Sequence, residues 1–600
     1  WTVDGVVGGD GELTANFSAT GGADARVGRY ADGALAWADG AAWSRAPPEG
    51  AASGAGAGLC THWYSAAGVV DVYLFKGPSP ADVARQHAAL TGVTPLPPLL
   101  ALGYHQCRWN YKDEEDVTKV LGGFEEHALP FDVLWLDIEH TDGKRYFTWD
   151  ETKFPTPARM QRELAATGRK MVTIIDPHLK ADDGFKLFSE AKDAGLLVRT
   201  ADNSSHFEGD CWPGRSGWLD YLQPAARAFW ARRFAADAYG GSTEHLYTWN
   251  DMNEPSVFDG PEITMAPTLR HRTADGGEVE HREVHNLYGM LMTMATHQGQ
   301  HQAYPARRPF VLTRAFFAGS QRHAAVWTGD NRASWSHLGA TTRMLLSLSV
   351  AGIPFVGADV GGFFGNPQPE LLVRWYQAAV FHPFFRAHAE FQTKRREPWL
   401  FGDAVTAQVR VALRLRYALL PYLYTLFAEH AAEAPPPMRP LWWHFPSDGA
   451  LLGNAWWGGA AAAEPFLLGD AILVQPIATP GCARASVYLP AEPPTADALW
   501  YHLHTLAPTR STPARRVATV AVGADAVPAF LRGGAILARR DRPRRSSAQT
   551  HTDAFTLVVA PDVGGAAAGR LYLDGYDGYE HAAGANLTVA FEYVGGAQVS

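Results

Sequence analysis

The sequence is poor in cysteine and lacks a compact metal-binding motif. Its 600 residues include four cysteines, at positions 60, 107, 211 and 482, and each lies far from the others. This spacing excludes a small disulfide scaffold and a zinc site built on paired cysteines. No His-Glu-x-x-His pattern occurs either. We therefore expect neither a metal nor another cofactor.

Long apolar runs and blocks of like charge are also missing. No stretch reaches the roughly 18 uninterrupted apolar residues of a membrane helix, so no membrane span is predicted. The formal net charge of -10 is spread along the chain, which argues against a nucleic-acid partner. The chain opens on Trp1 without an initiator methionine or a signal peptide, as is typical of an excised part of a longer protein.

Apolar and aromatic residues are abundant. Hydrophobic residues make up 46% of the chain and aromatic residues 12%, with 20 tryptophans. A chain of this length and composition predicts several globular domains with large cores. Three glycosylation sequons, at Asn16, Asn203 and Asn586, suit a protein of the secretory pathway without establishing it.

Changes in pattern divide the chain into four predicted domains. Residues 1–94 alternate short apolar runs with Gly, Ala and Pro, which predicts part of an N-terminal β-sandwich. After Pro95-Leu96-Pro97-Pro98, strand and helix patterns alternate over residues 95–435. Strand patterns then return and predict C-terminal β-sandwich domains, a proximal one over residues 436–538 and part of a distal one over 539–600.

Apolar strand candidates recur through residues 95–435, and each ends in polar or charged residues. They cover residues 101–109, 133–136, 171–175, 246–249, 309–312, 324–327, 353–356 and 384–386. Eight strands whose carboxyl ends all carry reactive groups predict a (β/α)8 TIM barrel, in which active sites gather at that face. A doubly wound sheet, which would concentrate polar residues at one switch point, is the second alternative.

The most informative stretch is Trp249-Asn250-Asp251-Met252-Asn253-Glu254-Pro255. It predicts a buried strand that presents Asp251 between two amides, Asn250 and Asn253, whose donors would hold the carboxylate. Its apolar neighbours would exclude water, as a nucleophilic carboxylate requires. Asp330 follows another strand beside Gly329 and Trp327 and suits a general acid. Two such carboxyl groups about 5 to 5.5 Å apart cleave a glycosidic bond with retention. The structural alternative for Asp251 is a helix cap.

Further polar and aromatic residues stand near the ends of the same strands. Asp137, Arg314, Asp359 and His388 would match sugar hydroxyls, and Trp212, Trp249, Trp327 and Phe363 would present apolar faces to a sugar ring. Taken singly, Arg314 and Asp359 are better explained as a structural ion pair.

Two other classes of protein stay open on these residues alone. A metal-dependent hydrolase would use His105, Glu139-His140 and Asp176-Pro177-His178, although they lack the spacing of a zinc motif. A sugar-binding protein without catalysis would keep the aromatic residues but would not need both Asp251 and Asp330.

Several stretches resemble glycoside hydrolase family 31. The segment around Asp251 is similar to the family's nucleophile signature. The others are Gly103-Tyr104-His105-Gln106-Cys107-Arg108-Trp109-Asn110-Tyr111, residues 135–150, Phe316-Phe317-Ala318-Gly319-Ser320-Gln321-Arg322, and Thr393-Lys394-Arg395-Arg396-Glu397-Pro398-Trp399. The resemblance runs from about residue 60 into the C-terminal region, and it is closest to the family's endoplasmic-reticulum branch.

This resemblance implies a role for each matched position. Asp251 would be the nucleophile and Asp330 the acid/base. The glucose-binding positions would be Asp137, Arg314, Asp359 and His388, and the pocket walls would be Trp212, Trp249, Met252, Trp327 and Phe363. The resemblance further implies metal-independent removal of α-1,3-linked glucose from glucosylated high-mannose N-glycans in the endoplasmic-reticulum lumen, beside a non-catalytic β subunit. A general α-glucosidase or an α-xylosidase of the same family is the alternative.

Two residues depart from the pattern of that branch. Glu390 stands where the branch has a histidine, and Gln392 replaces an aspartate. If residues 386–390 are extended, His388 and Glu390 share one side of the strand, and we expect the carboxylate to keep the imidazole protonated to higher pH. The alternative is a turn after His388, with Glu390 paired to Lys394 or Arg395.

Overall fold

The N-terminal strands form one antiparallel sheet. A computed structural model describes residues 71–452 and 463–595 together with the strands Thr2–Val7 (β1), Glu12–Ala19 (β2), Gly22–Ala31 (β3), Ala34–Trp37 (β4) and Cys60–Tyr64 (β5). Their order in the sheet is β4-β3-β2-β1-β5. Helix Pro80–Thr91 (α1) follows, and a capping box formed by Ser79 and Asp82 fixes its first turn.

Nine short parallel strands form a barrel and occupy eight positions in it. They are His105–Gln106 (β6), Val133–Leu136 (β7), Lys170–Ile174 (β8), Leu246–Asn250 (β12), Val311–Thr313 (β15), Ala325–Trp327 (β16), Val356–Gly357 (β17), Asp359–Val360 (β18) and Arg386–Ala387 (β19). The strand order is β17-β16-β15-β12-β8-β7-β6-β19-β18. Because Ala358 alone separates β17 from β18, the order ends beside its own start and the ring closes.

Helices cover the outside of this ring. They are Glu114–Glu126 (α2), Pro157–Ala166 (α3), Lys186–Asp193 (α4), Pro224–Arg232 (α5), His281–Ala303 (α6), Trp335–Val350 (α7), Pro369–Ala379 (α8) and Asp403–Glu433 (α9). Two small antiparallel sheets sit in the connections after β8 and β12. The first consists of His178–Lys180 (β9), Glu208–Cys211 (β10) and Gly214–Trp218 (β11), and the second of Arg270–Arg272 (β13) and Glu278–Glu280 (β14).

The barrel confirms the predicted (β/α)8 architecture, and each of the eight strand candidates contributes one position to it. The doubly wound alternative is wrong because the sheet closes. All four residues of Val133–Leu136 are buried, since the barrel interior covers one face of the strand and helices cover the other. This two-sided burial explains why the strands appear in the sequence as continuous apolar runs.

Mainly antiparallel strands follow the barrel. Met438–Pro440 (β20), Phe466–Leu468 (β21), Ile472–Val474 (β22), Arg484–Tyr488 (β23), Ala498–His502 (β24), Pro508–Ser511 (β25), Val517–Ala521 (β26) and Ala529–Arg532 (β27) form a six-stranded sheet, ordered β20-β21-β22-β27-β24-β25, and the pair β23-β26. Ala535–Arg539 (β28), Thr556–Ala560 (β29), Ala566–Leu573 (β30) and Leu587–Val594 (β31) form a four-stranded sheet.

The sheet of β28 to β31 contacts the barrel through buried polar side chains. Tyr424 on α9 donates a hydrogen bond of 2.6 Å to Asp574, and Arg308 pairs with the same carboxylate. Asp574 and Arg308 are nearly inaccessible to solvent, so the C-terminal strands and the barrel share a buried polar contact. Across the described part of the chain, no helix is both long enough and apolar enough to span a bilayer.

Candidate active site

Asp251 lies at the carboxyl end of β12, where the chain turns sharply. Met252 has φ of 56°, and its amide donates a 2.7 Å hydrogen bond to Asp251 Oδ1. The side chains of Asn250 and Asn253 do not hold Asp251 as predicted. Asn250 donates to the Ile175 carbonyl at 2.9 Å and Asn253 to the Thr313 hydroxyl at 2.9 Å, so they brace the loop against adjacent strands.

Arg314, at the end of β15, joins three carboxylates. Its Nε lies 3.1 Å from Asp251 Oδ1 and 2.7 Å from Glu254 Oε1, and its Nη1 lies 3.8 Å from Asp330 Oδ2. Arg314 Nη2 also contacts Met252 Sδ at 3.0 Å. The structure therefore brings Asp251 and Asp330 to different nitrogens of one guanidinium group. Glu254 was not singled out from the sequence, although it belongs to the same signature.

The two carboxyl groups both titrate well above their usual range. Burial raises the pKa of Asp251 to about 6, with Arg314 opposing the rise and Asp330 and Glu254 adding to it. Burial likewise raises the pKa of Asp330 to about 6, again against Arg314. Asp251 accepts a backbone N–H as well as the arginine, so it is the better stabilised anion. The pair can thus hold one ionised and one protonated carboxyl group near neutral pH.

Asp359 pairs with Arg386, so the predicted Arg314–Asp359 ion pair is wrong. Arg386 donates to Asp359 Oδ1 at 2.7 and 3.2 Å, and neither side chain is exposed. The Arg386 guanidinium lies 4.9, 4.7 and 5.1 Å from the ring centres of Trp135, Trp249 and Trp327. These aromatic faces stabilise a cation that has left water.

Arg386 was not predicted as a site residue, because residues 384–386 were interpreted as an apolar strand. Its position as the charged residue at the end of that strand could have indicated its place at the barrel mouth. Within the described chain, Asp359 Oδ2 and Arg386 Nη1 are buried without a hydrogen-bond partner. Such atoms at the centre of a barrel mouth are candidates for contact with a polar ligand.

His388 is a buried imidazole beside Asp137. Its Nε2 lies 3.5 Å from Asp137 Oδ2, and its ring packs on Trp249 at 5.2 Å and on Phe363 at 5.0 Å. Burial lowers the pKa of His388 well below its usual range, and Arg386 adds to the effect. Burial also raises the pKa of Asp137 well above its usual range.

The expectation that His388 stays protonated to higher pH is wrong, because the pKa of its imidazole is lowered. Burial and nearby arginines dominate the imidazole, and the carboxylate that reaches it is Asp137. The alternative pairing with Arg395 is not formed either, because Arg395 binds Asp116 and Glu397 at 2.8 Å.

The aromatic residues fall into two groups. Trp249 and Trp327 meet at 5.6 Å inside the barrel mouth, near Phe363. Trp212 belongs to a separate cluster at the rim, where it packs on Trp109 at 5.3 Å and on Phe258 at 4.9 Å.

The residues considered for a metal site have other contacts. His105 accepts a hydrogen bond from Trp135 Nε1 at 3.1 Å, His140 bonds the Asp137 carbonyl at 2.8 Å, and His178 lies 3.0 Å from the Tyr146 hydroxyl. Within residues 71–452 and 463–595, the structure contains no group of three or more His, Cys, Asp or Glu side chains placed to hold a metal ion.

Comparisons with known proteins agree with the barrel architecture. Residues 94–426 match the glycosyl hydrolases family 31 TIM-barrel domain, and residues 434–537 match the glycosyl hydrolase family 31 C-terminal domain. The chain is 50% identical over 546 residues to a probable glucan 1,3-alpha-glucosidase of Oryza sativa subsp. japonica, covering 91% of this chain and 57% of the relative. It is 49% identical over 513 residues to neutral alpha-glucosidase AB of Homo sapiens, covering 85% of this chain and 52% of the relative.

Solved structures give the same result. A crystal structure of a glucosidase II alpha subunit in an alpha3-Glc2-bound form superimposes with a TM-score of 0.80 at 44% identity, covering 86% of this chain and 55% of that one. A heterodimeric complex of the ER glucosidase II catalytic subunit with the binding domain of its regulatory subunit gives a TM-score of 0.81 at 44% identity, over 86% and 54% of the two chains. The chain thus spans little more than half the length of these four proteins.

Proposed function

Because the chain belongs to glycoside hydrolase family 31, we propose that it is a retaining α-glucosidase that removes terminal α-1,3-linked glucose from N-linked glycans. The observation that carries the proposal is the Arg314 guanidinium, which holds Asp251 and Asp330 on one site. Both carboxyl groups have pKa values near 6. Retaining glycosidases need one ionised and one protonated carboxyl group at such a site.

The proposed reaction has two steps. Asp251 attacks the anomeric carbon while Asp330 gives its proton to the leaving oxygen, which produces a covalent glucosyl ester and the shortened glycan. Asp330 then removes a proton from water, whose oxygen attacks the same carbon and releases Asp251. Two inversions at one carbon leave the configuration unchanged. Arg314 favours the ionised form of Asp251 before the first step and after the second.

The remaining predicted residues would bind the terminal glucose. Asp137, Arg314, Asp359 and His388 offer polar atoms at the carboxyl ends of different strands, and the unpaired Asp359 Oδ2 supports contact with a sugar hydroxyl. Trp249, Met252, Trp327 and Phe363 would form the apolar walls, and Trp212 at the rim would contact the next sugar.

The linkage and the cellular role rest on the relatives. One relative is named a probable glucan 1,3-alpha-glucosidase, and a related structure is of an alpha3-Glc2-bound form. We therefore propose a glucosylated high-mannose N-glycan as substrate and the endoplasmic-reticulum lumen as location. A non-catalytic β subunit is proposed as partner because a related catalytic subunit forms such a heterodimer. The domain boundaries at residues 94, 435 and 538 are also proposed, and the two matched domain ranges support them.

A digestion experiment tests this function. Purified protein is incubated with glucosylated high-mannose glycan, with maltose and with an α-xyloside, and the released sugar is identified. We expect glucose chiefly from the glycan. Preference for maltose would indicate a general α-glucosidase, and preference for the xyloside an α-xylosidase. Proton magnetic resonance should detect the α anomer of glucose before mutarotation, and an initial β anomer would contradict retention.

A further inference from the structure

Four titratable side chains outside the catalytic centre form a continuous line of hydrogen bonds. Asp220 Oδ1 lies 2.7 Å from His271 Nδ1, His271 Nε2 lies 2.8 Å from His281 Nδ1, and His281 Nε2 lies 2.7 Å from His285 Nδ1. Asp220, His271 and His281 are each 1% exposed, and His285 is half-buried. We call these four residues the histidine chain. The proposed reaction uses none of them.

Local structure places one end of the histidine chain beside the catalytic loop. The β13–β14 hairpin brings His271 to the start of α6, whose first residue is His281, and His285 follows one turn later. One further turn along, α6 touches the loop after Asp251, because a Cβ on Gly289 would come within 2.7 Å of the Asn253 carbonyl. The Glu254 carboxylate acts on His285 and raises its pKa against the lowering caused by burial.

The hydrogen bonds of Asp220 determine how protons are arranged along the chain. Its two oxygens accept from the backbone of Leu222 and Arg272 and from the Gln223 amide as well as from His271. Donors occupy both oxygens of Asp220, so His271 donates to this carboxylate from Nδ1. In the neutral chain, His281 and His285 then also donate from Nδ1 toward Asp220. The outer nitrogen, His285 Nε2, is left without a proton.

One added proton would reverse this order. When His285 Nε2 binds a proton, its Nδ1 proton can pass to His281 Nε2, and the Nδ1 proton of His281 can pass to His271 Nε2. His281 and His285 are then neutral again, each with its proton on Nε2. His271 carries both ring protons and the positive charge, 2.7 Å from Asp220. The charge does not stay on His281, because burial lowers the pKa of that imidazole to about 2, and the geometry places His271 against the Asp220 carboxylate.

We propose that the histidine chain is a positioning element of the catalytic centre. The chain takes up one proton at His285 and holds the resulting charge at His271. As a result, His285 carries an N–H on Nε2, on the side of Glu254. Glu254 competes with Asp251 for Arg314. An N–H donor directed toward Glu254 occupies part of that carboxylate and weakens the competition, so Arg314 binds Asp251 more strongly and keeps it ionised at lower pH. This catalytic consequence rests on the proposed function, whereas the proton uptake does not.

The ion pairs of Glu280 with Arg270 and Arg282 lie beside the histidine chain, and Tyr288 and Arg227 approach it. The Tyr288 ring packs against His271 and His281 at 6.4 Å, and its hydroxyl donates to the Leu219 carbonyl at 2.9 Å. Arg227 feels the charge of Asp220 but donates to the carbonyls of Tyr221 and Leu222. Neither group can accept the proton at neutral pH, which leaves the three imidazoles as the titrating unit.

Magnetic resonance of the protein labelled with ¹⁵N-histidine tests the proton uptake without substrate. Signals are assigned from the variants His271→Asn, His281→Asn and His285→Gln. At high pH we expect all three rings to carry their proton on Nδ1. On acidification, His281 and His285 should change to the Nε2–H form in the same step in which His271 gains its second proton. Separate titrations, or tautomers that do not change, would overturn the proposal.

Kinetics with an activated aryl α-glucoside test the coupling to the centre. The acid limb of kcat/KM reports the ionisation of Asp251 in the free enzyme. His285→Leu should move this limb to higher pH by roughly half a unit, the scale of one charge acting across a partly solvated interior. His285→Gln, which keeps a hydrogen bond to His281 but cannot carry the charge, should move it in the same direction.

A matched control separates positioning from a general structural effect. His301 is an exposed histidine near the other end of α6, and His301→Leu should leave the limb in place. If both His285 variants give profiles that superimpose on the unmodified protein, or lower kcat equally at every pH, the coupling is refuted. The magnetic resonance experiment tests the proton uptake even if the protein has another activity. Failure of the proton uptake can therefore be distinguished from failure of the proposed function.

Discussion

Replacing Arg314 by methionine should move the acid limb of kcat/KM upward, because it removes the cation that favours ionised Asp251. The Nε atom lies 3.1 Å from Asp251 Oδ1. At that separation and an effective dielectric constant of about 20, two unit charges attract with roughly 5 kcal/mol, an upper limit because water can enter the space left by the side chain. Opposite charges at such distances usually shift a pKa by about one to three units.

A rate change follows from that shift. Asp251 has a pKa of about 6 with Arg314 present, so roughly half of it is ionised at pH 6. A rise of about two units would leave roughly 1% ionised at that pH, and kcat/KM should fall about fifty-fold. The loss should shrink as the pH rises, because the folded-state pKa has increased and ionisation returns only at higher pH.

Glu254→Gln provides a control that should shift the acid limb in the opposite direction. Glu254 raises the pKa of Asp251 and binds the same guanidinium group, so its neutralisation should lower that pKa and move the acid limb to lower pH. Both profiles are measured with an activated aryl α-glucoside, whose departure does not depend on protonation by Asp330. If the two variants shift the limb in the same direction, or if neither shifts it, the placement of Arg314 between these carboxylates does not control the nucleophile.

Other perturbations test the remaining parts of the site. Asp251→Ala should reduce turnover about a thousandfold or more and, with azide and an activated substrate, should yield a β-glucosyl azide; an α-azide would reassign the nucleophile. Asp330→Ala should slow the first step far more for the glycan than for an aryl glucoside, and equal losses would contradict its role as acid. Arg386→Met leaves Asp359 buried without its partner and should cost about 3 to 5 kcal/mol in the free energy of unfolding, measured with denaturant; an unchanged midpoint would refute that. Exhaustive chelation should leave activity intact, and a loss restored by a divalent metal would contradict the metal-independent reaction.

The barrel could be predicted because its strands carry a local signal. Residues 133–136 are apolar without interruption and are followed at once by Asp137, and the strand has those same bounds in the structure. The sequence predicts which residues reach the carboxyl face, since strand ends fix that position regardless of how far apart the strands lie along the chain.

The partners of those residues could not be predicted in the same way. Arg314 was expected to pair with Asp359, but their strands lie at different positions of the ring, and Arg386 on the strand next to Asp359 takes its place. Similarly, Asn250 and Asn253 were expected to hold Asp251, yet they bind atoms of neighbouring strands. Which donor reaches which carboxylate depends on register around the closed ring, and no local pattern encodes that register.

The balance of charge at the barrel mouth explains both the raised pKa values and the proposed chemistry. Asp137, Asp251, Glu254, Asp330 and Asp359 supply five carboxyl groups, whereas Arg314 and Arg386 are the guanidinium groups paired directly with members of this set. His388 adds no compensating charge, because burial keeps it neutral. An excess of negative charge in a buried site makes protonation of Asp330 easier, and it also stabilises the positive charge that develops on the sugar ring as the glycosidic bond breaks. The same excess of negative charge therefore favours the protonated form of Asp330 and stabilises the transition state. The two arginines limit it, so that Asp251 still ionises near neutral pH.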